Sequence, residues 1–270
     1  MESDYYASRS LSHSKLSCLA QSPMEFKMRY VDDPPTLPPK ESDAFAMGHA
    51  VHCLALEPES FSDRFFVLPK IDRRTKEGKA AYTEIQEASK SKTLLDGDDY
   101  ADAIACVQAL NNHAEFATIM AQPKRVEVPF EFDLFGHRFK AKPDCIVDSM
   151  RLIVDIKTTD DASPHKWQWS AVDYGYHRQN WIYREALSET GHDYRFIFAV
   201  VEKPRPSTRG IPPTVALYEF DTDAMNMGYQ DTRNLVVEYE HRLKTNNWQQ
   251  PYSSGIVPLR LPKRRVYSEE

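Results

Sequence analysis

Three ionisable residues interrupt a stretch that otherwise reads as β-strand. The stretch is KAKPDCIVDSMRLIVDIKTT, residues 140–159, and the residues are Asp144, Asp155 and Lys157. Ten residues separate the two aspartates. If Asp144 ends one strand and Asp155 lies on its neighbour, a hairpin brings the carboxylates together. Two anions at close range repel, and one pKa rises unless a cation neutralises them. A divalent ion such as Mg²⁺ or Mn²⁺ does so, and Mg²⁺ uses few protein carboxylates, leaving room for water and phosphate oxygens. Asp155 and Lys157 are i and i+2, so they share one strand face. An ammonium there can sit beside an activated water or offset charge developing on a phosphorus centre. Phosphodiester hydrolysis would use all three residue types. Without that chemistry they are unrelated charges at strand ends, and a lone D-x-K triplet is common by accident.

Two further spacings point the same way. In MGHAVHCLALEP, Gly48 and His52 are four apart on a predicted helix and share a face. A glycine there allows close approach of another backbone, and His52 is a candidate third metal ligand through a ring nitrogen. A lone histidine in such a place is more often a satisfied core residue. His49, one position around, is a weaker candidate. In YHRQNWIYREAL, Gln179 and Tyr183 are again four apart. An amide and a phenol on one face could meet the carboxylates, a bound water or a DNA phosphate. The alternative is an ordinary amphipathic helix with Trp181 and Ile182 buried.

These residues need elements to hold them. The segment 8–31 predicts a serine-capped helix with Leu11, Leu16 and Leu19, interrupted at Pro23, and a short second helix with Phe26 and Tyr30. The proline-rich 32–40 predicts a surface loop. Helices are expected over 42–61, within the charged segment that follows, and after the Asp-rich DGDD near residue 96. From residue 125 the pattern alternates. Val126, Val128, Phe130 and Phe132 predict one strand, forming a hairpin with FGHRFKAKPD. CIVD and RLIVDIKTT follow, joined by a turn at Ser149-Met150, and the second has apolar residues on both faces, as a central strand does. Ser163-Pro164 starts a helical region that Gly175 breaks in two. YRFIFAVVEK and TVALYEF predict strands, and a long helix follows Asp221 or Thr222. The order is helices, then β-β-β-α-β-β-α. It predicts an α/β fold with a central mixed sheet flanked by helices. We read 1–270 as a single domain: a mainly helical elaboration over 1–124, a core over 125–245, and an irregular tail over 246–270, basic near Lys263 to Arg265.

The bulk numbers are those of a globular protein, with 41% hydrophobic and 27% charged residues. The net charge is −6. That argues against a passive nucleic-acid coat and requires any DNA contact to use a local basic groove. The acidic start with no apolar core predicts no secretory leader, and no apolar run is long enough for a membrane span. A cytoplasmic protein is expected. Cys18, Cys53, Cys106 and Cys145 form no CxxC pair, so neither a disulfide framework nor a zinc ribbon is expected.

Taken in series, Gly48-x-x-x-His52, Pro143-Asp144, Asp155-Ile156-Lys157 and Gln179-x-x-x-Tyr183 resemble the PD-(D/E)xK nuclease superfamily in its RecB-like branch. The opening LSHSKLSCLAQSPMEF resembles the Ser-x-Ser start of that branch. MGHAVHCLALEPESF and IVDIKTT are most like the nuclease domain of RecE (exonuclease VIII) and related phage recombination exonucleases. The likeness spans roughly residues 8–202. It implies a restriction-endonuclease-like core and a Mg²⁺-dependent exonuclease that degrades one strand of linear duplex DNA from its 5′ end. The 3′ overhang left behind would be loaded with a RecT-like single-strand annealing protein in homologous recombination. By the same likeness His52, Asp144 and Asp155 bind Mg²⁺ with help from the Ile156 carbonyl, Lys157 orients or activates water, and Gln179 and Tyr183 lie in the active-site shell. Glu131 is a further acidic candidate. Arg138, Lys140 and Lys142 are candidate DNA-groove residues. A homo-oligomeric ring around DNA and a phage or prophage origin are also implied. With no cysteine after Cys145, the iron–sulfur subgroup is not expected. The alternatives are a structure-specific endonuclease on the same fold and a DNA-binding module with a degenerate site.

Overall fold

The computed structural model describes residues 8–38 and 46–250, except 73, 189, 206, 208 and 209, and also 252, 256 and 258. The first third is helical, as its apolar spacing predicts. Helix α1 (His13–Gln21) begins at Ser12, whose hydroxyl accepts from the Lys15 N–H, and Ser22 caps a single turn, α2 (Pro23–Phe26). Helix α3 (Ala46–Leu56) carries His52; residues 42–45 of the expected helix lie outside the described residues. A turn of helix α4 (Phe61–Arg64) leads to β1 (Phe65–Val67). Helix α5 (Lys76–Ala88), capped by Thr75, leads to β2 (Thr93–Leu95). β1 and β2 pair in parallel, a small sheet the sequence does not announce, because three-residue runs are too short to show a period. Helices α6 (Gly97–Asn112) and α7 (Ala114–Met120) follow.

The texture changes at residue 125 as expected, but the first strand is not continuous. It breaks into β3 (Arg125–Val126) and β4 (Phe130–Leu134), separated by Glu127 at φ 52° and by Pro129. A left-handed residue cannot continue a ladder, and proline offers it no N–H. The expected hairpin is therefore shorter. β4 pairs antiparallel with β5 (His137–Ala141) around Phe135-Gly136, where both residues have positive φ, as a tight hairpin turn requires. This hairpin forms its own two-stranded sheet instead of extending the central one. The backbone of Leu11 bonds to Arg138 and Lys140 at 2.9 and 2.8 Å, tying the start of α1 to β5.

The central sheet is built from β3, β6 (Cys145–Val147), β7 (Leu152–Thr159), β8 (Arg195–Glu202) and β9 (Val215–Glu219), in the order β3-β6-β7-β8-β9. β7 and β8 are parallel and the other pairs antiparallel, so the sheet is mixed, with β7 in the middle. Between β7 and β8 run α8 (Pro164–Asp173) and α9 (Tyr176–Ser188), broken at Gly175 as predicted. Helix α10 (Thr222–Thr245) starts at Asp221, whose carboxylate accepts the Ala224 N–H at 2.9 Å. Between residue 125 and α8 there are thus five strands, β3 to β7, where the expected order has three.

Alternation along β7 sends side chains to two cores. Leu152, Val154 and Ile156 pack with Val51, Ala103, Leu110 and Phe116, so the N-terminal helices cover that face. Ile153 faces Trp167, Leu187 and Phe198 on the side of α8 and α9. A third cluster joins α1, the β4–β5 hairpin, α9 and α10 around Leu16, Phe139, Ile182 and Val236. Trp248, in the expected irregular tail, is buried there and stacks on Phe26 at 6.1 Å. The basic Lys263–Arg265 segment lies outside the described residues.

Candidate active site

The site lies where β6 stops short of its neighbour. Its last pair is Cys145 with Val154, so Asp144, one step earlier, falls opposite Asp155. On the β7 side Asp144 continues no backbone ladder. Its carboxylate Oδ2 instead accepts the Ile156 N–H at 2.9 Å, standing in for a strand partner. The expected convergence of strand end and neighbouring strand is present. Asp155 and Lys157 follow Ile153 onto the face covered by α8 and α9. Asp155 is 0% exposed, and its carboxylate pairs with the Lys157 ammonium and accepts from the Gln179 amide. Lys157 also sits over the Tyr176 ring, 5.0 Å from its centre.

Helix α3 supplies His52 from the opposite core. Its Nδ1 lies 3.1 Å from Asp144 Oδ2. Gly48, one turn earlier, faces Thr158 so closely that a Cβ would stand 3.4 Å from its hydroxyl oxygen. That brings α3 against the end of β7. A residue sequence reasoning missed, Glu127, completes the group. His52, Glu127 and Asp144 each offer one ligand atom within 4.8 Å of the others. The left-handed φ of 52° that ends β3 carries this glutamate out of the strand pattern, while its N–H still donates to the Asp144 carbonyl at 3.1 Å. No residue type at 127 signals that conformation, because alternation alone puts Glu127 on the same face as Glu131.

Electrostatics separates the acids. Burial raises Asp144, but His52, Lys157 and the Ile156 N–H more than offset it and hold the carboxyl below its usual range. Asp155 goes the other way, raised to about 6 by burial and the adjacent Asp144 charge, against the pull of Lys157. Burial also raises Glu127, with Asp144 adding to it and Lys142, 2.6 Å away, opposing. Lys157 is held above its ordinary value because Asp155 and Asp144 outweigh its burial. Burial lowers His52, but Asp144 prevails and its pKa rises.

Other expected site residues are placed differently. Glu131 accepts from Ser8 at 2.9 Å and Ser10 at 3.4 Å and lies 3.6 Å from Arg138; its partners are not the residues of the acid cluster. Tyr183 sets its ring 6.1 Å from Phe196. Of the three candidate groove cations, Arg138 is exposed between Glu131 and Asp133. Lys140 is buried, its ammonium 3.3 Å from the Ser8 carbonyl. Lys142 is drawn to Glu127, at the site itself.

One imidazole and two carboxylates converging on one point fit a divalent cation with oxygen preference. His52, Glu127 and Asp144 would hold it, with Asp155 turned toward Lys157 and Gln179. Glu127→Gln is expected to weaken Mn²⁺ binding at least about 10-fold by calorimetric titration. Unchanged affinity would remove Glu127 from the donor set.

A family model, the PDDEXK-like domain of unknown function (DUF3799), matches residues 12–257. The chain belongs to this PDDEXK-like family. The match covers the whole site, from α1 to the end of α10. A putative exonuclease from Eubacterium rectale is similar to the PDDEXK-like chain at 15% identity, over 96% of this chain and 92% of its own, with a TM-score of 0.62. That likeness speaks for a shared fold. A phage related exonuclease from Haemophilus somnus has 15% identity, covering 64% and 85% of the two chains with a TM-score of 0.36. An alkaline exonuclease from Laribacter hongkongensis has 16% identity, covering 70% and 95% with a TM-score of 0.30. No curated protein matches the chain. Among the described residues, no helix is long and apolar enough to cross a membrane.

Proposed function

We propose that this PDDEXK-like chain is a Mg²⁺-dependent exodeoxyribonuclease acting on linear duplex DNA. The observation that carries the reading is the meeting of Asp144, Asp155, Lys157, Gln179 and His52 at the open flank of β7. A bound divalent ion supplies Lewis-acid polarisation of a phosphoryl oxygen and lowers the pKa of water. His52, Glu127 and Asp144 would hold that ion. Gln179 fixes the Asp155 carboxylate, and Asp155 in turn fixes Lys157. Asp155 and Asp144 favour the ammonium form of Lys157, which suits it to offset charge on the phosphate in the transition state. Lys142, beside Glu127, is the candidate groove cation at the site, and Arg138 lies exposed on the β4–β5 hairpin.

The finer reading draws on the likeness to recombination exonucleases: 5′→3′ digestion, 3′ overhangs, and hand-over to a RecT-like annealing partner. A homo-oligomeric ring would reconcile DNA binding with a net charge of −6, since only its lumen need be basic. Linear duplex labelled at one end and then the other tests this, with and without Mg²⁺. Early release of the 5′ label with Mg²⁺ only, and an intact covalently closed circle, are the expected results. A cut circle would favour the endonuclease alternative, and DNA bound but uncut would favour a binding module.

A further inference from the structure

Lys157 is not only paired with Asp155; it begins a chain of aromatic rings that runs out to solvent. Its ammonium lies over Tyr176. The Tyr176 ring is packed from below by Trp167 at 5.3 Å and Phe198 at 5.6 Å, so it cannot swing away. Tyr174 stacks on Tyr176, with centroids 5.7 Å apart and planes 28° from parallel. Tyr174 closes helix α8, is 60% exposed, and is followed by Gly175 at φ 70°, which turns the chain sharply into α9. An aromatic ring is thus held rigidly at the surface, two contacts from the cation of the candidate active site.

On the reading that this site cleaves DNA, we propose that Tyr174 is a base-stacking residue, taking an unpaired nucleobase of the strand whose phosphate enters beside Lys157. Two observations and one physical argument favour a nucleobase. The stack is continuous with the Lys157 cation, so a strand with a phosphate beside Lys157 has an aromatic face two contacts away. The exposed face of α8 also carries Lys166 and Trp169, three apart, a cation and a second ring on one face. A flush duplex end must part its strands for one to enter a narrow site, and an aromatic face stabilises the parted base whatever its identity.

The test uses the full chain in Ca²⁺ or chelator and a single-stranded oligonucleotide with 2-aminopurine at its terminal position. Wild-type protein is expected to quench the fluorophore on binding. Tyr174→Ala is expected to abolish the quench and weaken binding roughly 5- to 100-fold, and Tyr174→Trp to restore both. Because the ring is exposed, the Ala variant is expected to melt as wild type does. Quenching by wild-type protein that cuts no DNA would defeat the nuclease reading and leave the stacking assignment standing. Wild-type cleavage with identical quench in Tyr174→Ala would overturn the stacking assignment alone. A Tyr174→Ala change in oligomeric state by light scattering, without loss of quench, would also overturn it and make the ring a contact between subunits.

Discussion

Asp144→Asn is expected to abolish DNA cleavage, by about 1,000-fold or more, while leaving the fold in place. The carboxylate does three things at once. It contacts His52 at 3.1 Å, accepts the Ile156 N–H at 2.9 Å, and belongs to the donor trio with Glu127. An asparagine can keep the bond to Ile156 with its one oxygen. It cannot also offer an anionic ligand, and a neutral amide leaves the ion underneutralised. Stability should suffer little, because the substitution is nearly isosteric and removes the repulsion that helps push Asp155 up. Its carboxyl should fall back toward the ordinary range. Digestion rates on linear duplex and a thermal melt together read both halves. A variant that cuts within tenfold of wild type would overturn the assignment.

Gly228→Ala is expected to lower the melting temperature by roughly 5 °C and to slow cleavage as well. The glycine lies on α10 where it crosses α9. A Cβ there would stand 2.4 Å from the His177 carbonyl oxygen and 3.0 Å from the Trp181 Cβ. The first contact is with backbone, so no rotamer change relieves it and α9 itself must shift. Alanine gains about 1 kcal/mol of helix propensity over glycine. Overpacking costs about 1–3 kcal/mol, occasionally more, and a rigid backbone neighbour puts this site at the upper end. His177 is two residues before Gln179, so moving α9 moves the amide that orients Asp155. A displacement on the order of 1 Å can cost about 100-fold in rate. A melt equal to or above wild type would show that the helices part without cost.

Much of the site was legible because its spacing rules are local. Asp155 and Lys157 share a face by strand period alone, and Gln179 reaches them because α9 returns over β7. The pairing of Asp144 with Asp155 followed from a short turn at 148–151 and opposed strands. What was hidden depends on backbone that side-chain types do not encode. Glu127 and Glu131 look alike in an alternating run, yet a single left-handed residue turns Glu127 inward and leaves Glu131 with Ser8, Ser10 and Arg138. The same break moved β3 into the central sheet and left the β4–β5 hairpin apart. Lys142 read as a groove cation because its partner, Glu127, was not known to be near. In the fold, the central mixed sheet and its helical cover followed from apolar periodicity. The β1–β2 pair did not, being two short runs joined across a helix.

Each acid at the site already has a cation of its own: Lys142 for Glu127, His52 for Asp144, Lys157 for Asp155. These pairings offset part of the acids' mutual repulsion with groups of the protein itself. An ion held by His52, Glu127 and Asp144 would have to compete with these pairings, with Lys142 for Glu127 and with any proton that His52 carries for its ring nitrogen.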